Sequence, residues 1–461
     1  MGMTVWFDVE DLIRFFQYAK RPTGIQRLSF EVCAAAHRLA EPGGVGFCRR
    51  NDAGTRLLEV DFAGFEAAIR AAAEALPPAQ QIIAAPPPLP PLSRTRIFAA
   101  ARRLPPHYRE PLGDLYRASV NAARALRALL RAAWRRTRPR RAAAGPIPAA
   151  IPAAASGVVV NPASVDWLIH LGASWERPYA PGFLNYLAGN GVRLGLFAHD
   201  MIPDLFPEWC TRSMGVDFSL WLDETVPRAE RVFAISRHTL KDLEFCLTRR
   251  NRRVPDVTQL PPGGQGRSAV PPQPRPLAQP FVLMVGTIEA RKNHGGMLRV
   301  WRHLLNAPPA GEVPVLVFAG KAGWLTSDLM QQLENAAYLG GKILFIDQPT
   351  ETQLAALYQH CLFTLYPSLY EGWGLPVTES LCFGKPVIAS NSSAIPEAGG
   401  PYCAYFDPDD LTEAEAAIRR WIEQPELVRA AAARIAAEFE PPRWEDTAAA
   451  LLRDCAMPAR E

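Results

Sequence analysis

The stretch LFTLYPSLYEGWGLPVTESL, residues 362–381, joins an apolar run to a glycine-rich turn and a helix start. Its first residues are typical of a buried strand. The two glycines of EGWG allow the backbone to approach a ligand, and Pro376 suits the first turn of a helix. Backbone N–H groups at such a helix start attract an anion. The stretch therefore predicts a strand, a loop and a helix that together bind a phosphate.

Glu371 and Glu379 have different positions within this stretch. Two carboxylates close in sequence are typical of a glycoside hydrolase, which uses them as an acid and base pair. Here, however, Glu371 follows the predicted strand in the loop, whereas Glu379 lies about one turn into the helix. Glu371 can reach a sugar, and Glu379 can accept hydrogen bonds from a ribose diol. This separation favours a nucleotide sugar as their shared ligand.

The alternation of apolar strands and helical segments extends in both directions from this stretch. It predicts βαβ units with parallel sheets, and hence an α/β fold class. Residues 1–265 and 266–440 are predicted to form two doubly wound domains, and residues 441–461 a terminal helix that packs back on the first domain. Ligands of parallel sheets bind beyond the carboxyl ends of the strands. We therefore expect the functional side chains in strand-to-helix loops that face a cleft between the domains.

A segment rich in proline, alanine and arginine, residues 77–155, is predicted to interrupt the first domain. Residues 102–141 contain twelve arginines and two acidic residues, whereas the whole chain has a net charge of +4. Within this part, residues 112–136 have the periodicity of a basic amphipathic helix. Two interpretations stay open: binding to an anionic membrane surface, or packing of the apolar face on its own domain. Nucleic-acid binding is not favoured, because the arginines lack interleaved aromatic residues.

Composition argues against several other classes of protein. The eight cysteines are scattered without a C-x-x-C pair or zinc spacing, so we expect reduced thiols and no metal site. The N-terminus has no signal-peptide pattern, and no apolar run is long enough for a membrane span. These features predict a cytoplasmic protein. The basic segment leaves open a peripheral position on the inner face of the cytoplasmic membrane.

A second strand-to-helix loop, VGTIEARKNHGGML at residues 285–298, contains adjacent basic side chains. Arg291 and Lys292 could supply charge and hydrogen-bond donors to a diphosphate, with Gly286 behind them. The alternative is an ordinary basic turn exposed to solvent.

These two loops resemble those of a known family. EGWGLPVTE, residues 371–379, resembles the Glu-x7-Glu motif of retaining family 4 glycosyltransferases with the GT-B fold, and GTIEARKN resembles their diphosphate-binding loop. The resemblance implies two Rossmann-like domains, the first for the acceptor and the second for the nucleotide sugar. Four further segments are similar to that family: LPPGG at 260–264, VFAISRHTLKDL at 232–243, SSAIPEAGG at 392–400 and RWEDTAAALL at 443–452.

The resemblance also implies roles for residues of the second domain. Arg291 and Lys292 would neutralise the donor diphosphate, Glu379 would hold the ribose, and Glu371 would position the sugar as a catalytic residue. Many relatives have an arginine directly after the first glycine of the diphosphate loop, where this chain has Thr287, so Arg291 would carry more of that charge. Members of this family generally need no metal, and no cofactor besides the donor substrate is implied. The other implied donor-binding residues are Gly286, Gly372, Trp373, Gly374 and Leu375.

Two loops of the first domain would form the opposite wall of the cleft. The segment FAHDMIPDLFPEW puts His199 and Asp200 at the carboxyl end of a strand. Similar His-Asp pairs in the family contact the donor sugar or the reacting groups, which makes both residues catalytic candidates. The segment RPTGIQRLSFEV resembles the family's glycine-rich loop, with Gly24 near the donor phosphates or the acceptor and Arg27 as an anion contact.

The leading hypothesis is a retaining hexosyltransferase of surface-polysaccharide assembly, in lipopolysaccharide or capsule. Its donor would be a nucleotide-diphosphate sugar, with GDP-mannose favoured, and its acceptor a polysaccharide or a lipid-linked glycan. A polysaccharide-assembly complex is a further candidate partner. A rhamnosyl- or glucosyltransferase of the same fold is one alternative, and a non-catalytic GT-B-like glycan-binding protein is another. A hydrolase with two carboxylates fits less well, because its reaction does not require phosphate-binding loops.

Overall fold

The computed structural model describes residues 3–18, 24–41, 43–74, 82–83, 155–264 and 271–457. Residues Met1–Ala85 and Ile151–Glu461 belong to one compact unit. This unit contains two mainly parallel sheets. The basic helix predicted at 112–136, with the arginine-rich surroundings at 102–141, lies outside the described residues.

Strands and helices alternate along most of the described ranges, as the sequence pattern predicts. The strands are β1 (Val5–Asp8), β2 (Val45–Arg50), β3 (Leu57–Val60), β4 (Ile82–Ile83), β5 (Ala155–Val159), β6 (Trp167–His170), β7 (Arg193–Ala198), β8 (Arg231–Ala234), β9 (Asp256–Gln259), β10 (Phe281–Val285), β11 (Val315–Gly320), β12 (Ile343–Asp347), β13 (Thr364–Tyr366), β14 (Val387–Ser390) and β15 (Cys403–Phe406). The helical segments are α1 (Glu10–Tyr18), α2 (Gly24–Leu39), α3 (Phe62–Glu74), α4 (Pro181–Gly189), α5 (Ile202–Leu205), α6 (Arg212–Leu220), α7 (Arg237–Arg249), α8 (His294–Asn306), α9 (Ser327–Asn335), α10 (Ala337–Gly341), α11 (Glu351–His360), α12 (Leu375–Cys382), α13 (Ile395–Gly399), α14 (Leu411–Glu423), α15 (Pro425–Glu438) and α16 (Trp444–Ala456).

The first sheet has eight strands in the order β5-β3-β2-β1-β6-β7-β8-β9. Neighbouring strands pair in parallel from β2 through β1, β6, β7 and β8 to β9. Strand β3 pairs antiparallel with both β2 and β5. The carboxyl ends of the parallel strands therefore lie along one edge of the sheet. The loops that follow β1, β6 and β7 meet at this edge.

The second sheet has the order β15-β14-β13-β10-β11-β12-β4. All its strands run parallel except β4, which pairs antiparallel with β12. Strand β4 belongs to the segment 77–155, which the sequence assigns to the first domain as an insertion, yet it extends the sheet of the second domain. A strand of two residues has no hydrophobic period, so the sequence pattern could not indicate this pairing.

The backbone crosses between the two domains twice, and the crossings lie side by side. At Gly263 an added Cβ would lie only 2.4 Å from the backbone nitrogen of Trp444. The backbone N–H of Gly264 donates to the carbonyl of Pro442 over 2.9 Å. After the second crossing, α16 packs on the first domain, where the indole N–H of Trp167 donates to the carbonyl of Cys455 over 2.9 Å.

The cores of both domains lie between the sheets and the helices that cover them. In β10, Phe281, Val282 and Leu283 are fully buried, because helices cover both faces of a doubly wound sheet. All eight cysteines are free thiols, and six of them are buried. Among the helices of the described ranges, none combines the length and apolar character that a membrane crossing requires.

Candidate active site

The loop after β10 places two cations at the carboxyl end of the second sheet. Residues Ala290–Lys292 form a 3-10 turn, and Asn293 adopts a left-handed conformation with φ 59° before α8 begins. Asparagine tolerates this conformation better than most residues do. The sharp turn directs Arg291 and Lys292 toward the loop after β13, where both contact Glu371.

Glu371 is held between these two cations. Its carboxylate oxygens lie 2.5 Å from Arg291 Nη1 and 2.5 Å from Lys292 Nζ. Its backbone N–H donates to Ser393 Oγ over 2.8 Å. The side chain is buried, with 7% of its surface exposed. One carboxylate thus bridges the two residues predicted to bind a diphosphate.

The charges of this cluster determine its protonation. Burial alone would raise the pKa of Glu371, but Arg291 and Lys292 lower it to about 2. Burial lowers the pKa of Lys292, and the charge of Glu371 opposes that effect. For Arg291, burial would lower the pKa, yet Glu371 and Glu289 together raise it. Glu371 is therefore an anion at neutral pH, beside a guanidinium that stays protonated.

Three residues of this cluster were missed in the sequence analysis. Glu289 lies 2.8 Å from Arg291 Nη2 and holds its other side. Tyr366 accepts a hydrogen bond from Lys292 Nζ over 2.8 Å and also presents its ring to that cation. Ser393 caps the backbone of Glu371. All three lie inside segments that the sequence analysis quotes: Glu289 in GTIEARKN, Tyr366 in the stretch at 362–381 and Ser393 in SSAIPEAGG. No pattern in these segments indicates that their side chains contact Arg291, Lys292 or Glu371.

The first domain contributes the loop after β7. His199 is buried, and its Nε2–H donates to the carbonyl of Leu171 over 2.8 Å. Burial lowers the pKa of His199 to about 4, so its ring is neutral near pH 7. Burial raises the pKa of Asp200, and the nearby charge of Arg291 opposes this. Asp200 therefore lies within electrostatic range of Arg291 in the second domain.

The two domains touch where the loops after β7 and β13 meet. A Cβ added to Gly372 would lie 1.8 Å from the carbonyl oxygen of His199, so no side chain fits there. Gly374 has φ 120°, a conformation that favours glycine, and precedes α12. Trp373 is partly buried, and its indole N–H donates to Thr378 Oγ1 over 3.1 Å. Gly372 thus allows the two loops to approach closely, and Gly374 allows the backbone conformation that precedes α12.

A second group of predicted residues gathers around Glu379 in α12. Its Oε1 lies 2.7 Å from Arg27 Nη1 in α2, and its Oε2 accepts a hydrogen bond from Tyr358 over 2.9 Å. Gly24 also lies at this contact, since a Cβ there would be 3.3 Å from Leu375 Cδ1. Burial raises the pKa of Glu379, and Arg27 opposes this rise. The predicted anion contact of Arg27 is therefore made, in this structure, with a carboxylate of the protein itself.

A cavity of 200 Å³ lies beside Glu379. It opens between α2 and the faces of α11 and α12. Its lining residues are Arg27, Pro271, Gln273, Glu351, Thr352, Leu354, Ala355, Tyr358, Glu379 and Phe383.

The structure thus divides the predicted residues into two clusters joined by the start of α12. Arg291, Lys292, Glu371, His199 and Asp200 form the first, where the loops of both domains meet. Glu379, Arg27, Gly24 and Leu375 form the second, with the cavity beside it. Gly286 lies behind the first cluster, where its φ is 145° and a Cβ would meet the chain of Lys292 at 3.7 Å. In the part of the chain that the structure describes, no group of three or more His, Cys, Asp or Glu side chains is placed to hold a metal ion.

Comparison with known proteins assigns the second domain to a family. Residues 269–437 match the family of glycosyl transferases group 1. Over 239 residues the chain is 26% identical to the serotype-specific mannosyltransferase WbdA of Escherichia coli, covering 49% of this chain and 29% of that protein. Over 168 residues it is 32% identical to O-antigen chain mannosyltransferase B of Escherichia coli, covering 36% and 43%. The chain spans less than half the length of these curated relatives.

Solved structures extend the similarity of fold to nearly the whole chain. Sucrose-phosphate synthase from Thermosynechococcus elongatus has a TM-score of 0.52 at 16% identity, covering 98% of each chain. Anabaena HepE, in complex with UDP and glucose, has a TM-score of 0.50 at 15% identity, covering 64% of this chain and 78% of that one. The predicted GT-B fold with two Rossmann-like domains is confirmed. The family resemblance is confirmed as well.

Proposed function

We propose that this chain, whose second domain is a group 1 glycosyltransferase domain, is a retaining mannosyltransferase of surface-polysaccharide assembly. Its donor is GDP-mannose, and its acceptor is a polysaccharide or a lipid-linked glycan. It needs no metal or cofactor besides this donor. The proposal rests on the ion pairs that Arg291 and Lys292 form with Glu371. These pairs lie beside the loop of the first domain that contains His199.

The cations of this cluster suit a leaving diphosphate. In sugar transfer from a nucleotide donor, negative charge develops on the phosphate that leaves, and fixed cations lower the energy of that transition state. Arg291 has five N–H donors, enough to keep Glu289 and Glu371 while contacting a phosphate oxygen. Glu289 and Glu371 thus hold Arg291 in place before the donor arrives.

Glu371 would act on the sugar rather than on the phosphate. With its pKa lowered to about 2 by Arg291 and Lys292 against the effect of burial, it remains a carboxylate and can accept hydrogen bonds from sugar hydroxyls. The acceptor hydroxyl would attack on the face from which the diphosphate leaves, and a phosphate oxygen of the leaving group would take its proton. This order of events retains the configuration of the sugar.

His199 and Asp200 would complete the sugar subsite from the first domain. The Nε2–H of His199 is used by Leu171, so His199 can offer only its other ring nitrogen as an acceptor. Asp200 presents a carboxylate close to Arg291. These acceptors suit the hydroxyl groups of a hexose.

Mannose is favoured because the names of several relatives agree on it. WbdA and O-antigen chain mannosyltransferase B are both named as mannosyltransferases, and the second is named for O-antigen chains. A rhamnosyl- or glucosyltransferase of the same fold is the alternative to be tested beside it.

The two-carboxylate hydrolase has less support. A hydrolase of this kind needs one carboxyl group protonated as an acid. Glu371 is held as an anion by two cations. Glu379, whose pKa burial raises, lies in a separate cluster with Arg27 and Tyr358, so the two glutamates do not face one another as an acid and base pair. A non-catalytic glycan-binding protein would not need a charged cluster of this composition.

The cytoplasm is the proposed location, with the reaction at the inner face of the cytoplasmic membrane. A lipid-linked acceptor would require this position. Residues 102–141 carry twelve arginines and two acidic residues and would supply attraction to anionic lipids or to other proteins of polysaccharide assembly.

The test is transfer from GDP-mannose to mannose-terminated oligosaccharides, with UDP-glucose and a dTDP-rhamnose donor in parallel. We expect release of GDP that depends on the acceptor, and a product whose anomeric configuration, read by NMR, equals that of the donor. The variant Glu371→Gln should lose transfer, whereas Glu426→Gln, on the exposed surface of α15, should keep it. Absence of transfer from every donor would overturn the proposed activity, and an inverted product would overturn retention.

A further inference from the structure

We propose that Tyr370 is a positioning residue, which holds Glu371 in place through a contact with the first domain. Tyr370 belongs to the loop after β13 and directly precedes Glu371 in the chain. Its hydroxyl contacts α7, a helix of the first domain. The inference rests on the proposed function, because it concerns the residue that is proposed to contact the donor sugar.

The hydroxyl of Tyr370 is bound from two sides by the first two turns of α7. It donates a hydrogen bond to Asp242 Oδ2 over 2.7 Å. A phenol has one proton, so its oxygen then accepts from His238, whose Nε2 lies 2.8 Å away. The imidazole and the carboxylate thus hold one atom of the second domain between them. A hydroxyl with a donor and an acceptor in place has a defined position.

The residue on the other side of Glu371 also contacts α7. There the hydroxyl of Thr239 donates to the carbonyl oxygen of Gly372 over 3.3 Å. Tyr370 and Gly372 flank Glu371, so both chain neighbours of this carboxylate are bound to one helix of the first domain. The backbone at Glu371 is therefore fixed from outside its own domain.

The start of α7 is itself anchored on the second domain. Glu397 of α13 accepts hydrogen bonds from the backbone N–H groups of Arg237 and His238, each over 2.9 Å. Such N–H groups in the first turn of a helix have no acceptor within the helix, and a carboxylate there is favoured by the helix dipole. This second contact keeps α7 beside the loop of Tyr370 when the two domains are together.

Tyr370 transmits the contact to the charged cluster through its backbone. Its carbonyl oxygen accepts a hydrogen bond from Arg291 Nη1 over 3.1 Å. The same nitrogen lies 2.5 Å from Glu371, whose other carboxylate oxygen is held by Lys292. A shift of Tyr370 would therefore move Glu371 relative to both cations. Such a shift matters for sugar transfer, since a misplacement of about 1 Å can lower a rate about 100-fold.

Tyr370 also has a packing role, which the test must separate from positioning. Its ring lies against Phe206 of the first domain, with ring centroids 4.7 Å apart. The variant Tyr370→Phe keeps this ring contact and removes only the hydroxyl. Tyr402→Phe is the matched control, because the hydroxyl of Tyr402 donates to the carbonyl of Glu438 within the second domain, over 3.1 Å.

The experiment measures the kinetics of sugar transfer and the affinity for GDP in the full chain. In Tyr370→Phe we expect kcat to fall about 10- to 100-fold, with the KM of the donor and the Kd of GDP changed less than about threefold. Asp242→Asn, whose amide oxygen can still accept from Tyr370, should keep more activity than Asp242→Ala. Tyr402→Phe should keep every kinetic constant. Melting temperatures identify any variant that affects folding instead.

A double variant tests whether the hydroxyl acts through α7. If Tyr370 positions Glu371 by its bond to Asp242, the two substitutions remove the same interaction. The kcat of Tyr370→Phe/Asp242→Ala should then equal that of the slower single variant. Two independent contributions would instead multiply their losses.

Four outcomes overturn the inference. If sugar is transferred and Tyr370→Phe keeps the kcat of the unchanged chain, Tyr370 does not position Glu371, and the proposed function stands. If the loss appears in KM and Kd, Tyr370 contributes to donor binding instead. If the losses multiply in the double variant, the hydroxyl does not act through Asp242. If the unchanged chain transfers no sugar from any donor, the proposed function fails, and the inference fails with it.

Discussion

Arg27 of the first domain and Glu379 of the second form an ion pair of 2.7 Å, with only 17% and 16% of their side chains exposed. The pair links α2 of the first domain to α12, the helix whose Glu379 is proposed to bind the ribose. A ribose that binds Glu379 must share this carboxylate with Arg27 or replace it. The state of this pair therefore connects donor binding to the contact between the domains.

Removing one partner of this pair should destabilise the protein. Breaking a buried ion pair leaves an uncompensated charge, which costs about 3 kcal/mol. We expect the free energy of unfolding, measured with urea, to fall by about that amount in Arg27→Met. The double variant Arg27→Met/Glu379→Gln should recover most of it, because no buried charge remains. Arg70→Met, which breaks the more exposed pair of Arg70 and Glu66, should cost less than about 1 kcal/mol. Equal losses of unfolding free energy in Arg27→Met and Arg70→Met would contradict this account.

Glu371→Gln and Glu379→Gln should affect different steps. Glu371 is proposed to contact the sugar, so Glu371→Gln should lower kcat by about 100-fold with KM changed less than about threefold. Glu379 is proposed to contact the ribose, so Glu379→Gln should raise KM for the donor about tenfold. Steady-state kinetics with varied donor measures both. The opposite pattern would exchange the two assignments.

Gly372→Ala should separate the loops of the two domains. An added Cβ would lie 1.8 Å from the carbonyl oxygen of His199, and the backbone there cannot give way as a flexible side chain could. We expect transfer to be lost while each domain keeps its fold, as judged by circular dichroism. Gly295→Ala is the matched control, since no heavy atom lies within 4 Å of a Cβ added there. Full activity in Gly372→Ala would show that this contact is not required.

Buried histidines should make the protein sensitive to acid. Burial lowers the pKa of His170 and His199 to about 4 and that of His294 to about 3. The unfolded chain, with an ordinary value near 6.5, takes up these protons first as the pH falls. The stability contributed by these neutral histidines is thus fully present above pH 6.5 and is lost progressively as the pH falls toward 4. In His294→Leu, the loss of unfolding free energy between pH 7 and pH 5 should shrink by about 1–2 kcal/mol. An unchanged loss would refute the assignment to His294.

Asp11 should act in the opposite direction. Burial and the charge of Asp8 raise its pKa to about 7 from an ordinary value of 3.8. The unfolded chain therefore releases this proton before the folded chain does, and stability falls as the pH rises from about 4 to 7. Asp11→Asn removes this contribution. We expect the unfolding free energy of Asp11→Asn, relative to that of the unchanged chain, to be higher at pH 7 than at pH 5. The same difference at both pH values would show that Asp11 is not the group responsible.

The sequence predicted those parts of the site that depend on local pattern. The strand, loop and helix around Glu371 and the loop with Arg291 have periodic strands, glycines and a proline at fixed positions, and the structure contains both. The roles assigned to these residues stay predictions. The partnership of Arg27 with Glu379 could not be predicted, because 352 positions separate the two residues and no periodicity links them. Strand β4 was missed for a related reason, since its pairing depends on a sheet edge formed far along the chain.

The paired crossings at Gly263 and Trp444 limit how the two lobes can move. A single connection would act as a swivel and allow the lobes to twist about it. Two connections in contact, one of which has a glycine where an added Cβ would come within 2.4 Å of the other, form a short hinge line. We infer that any relative motion of the two domains turns mainly about that line. Opening would separate the loop of Gly372 from the loop of His199, and closing would bring the two loops back into contact.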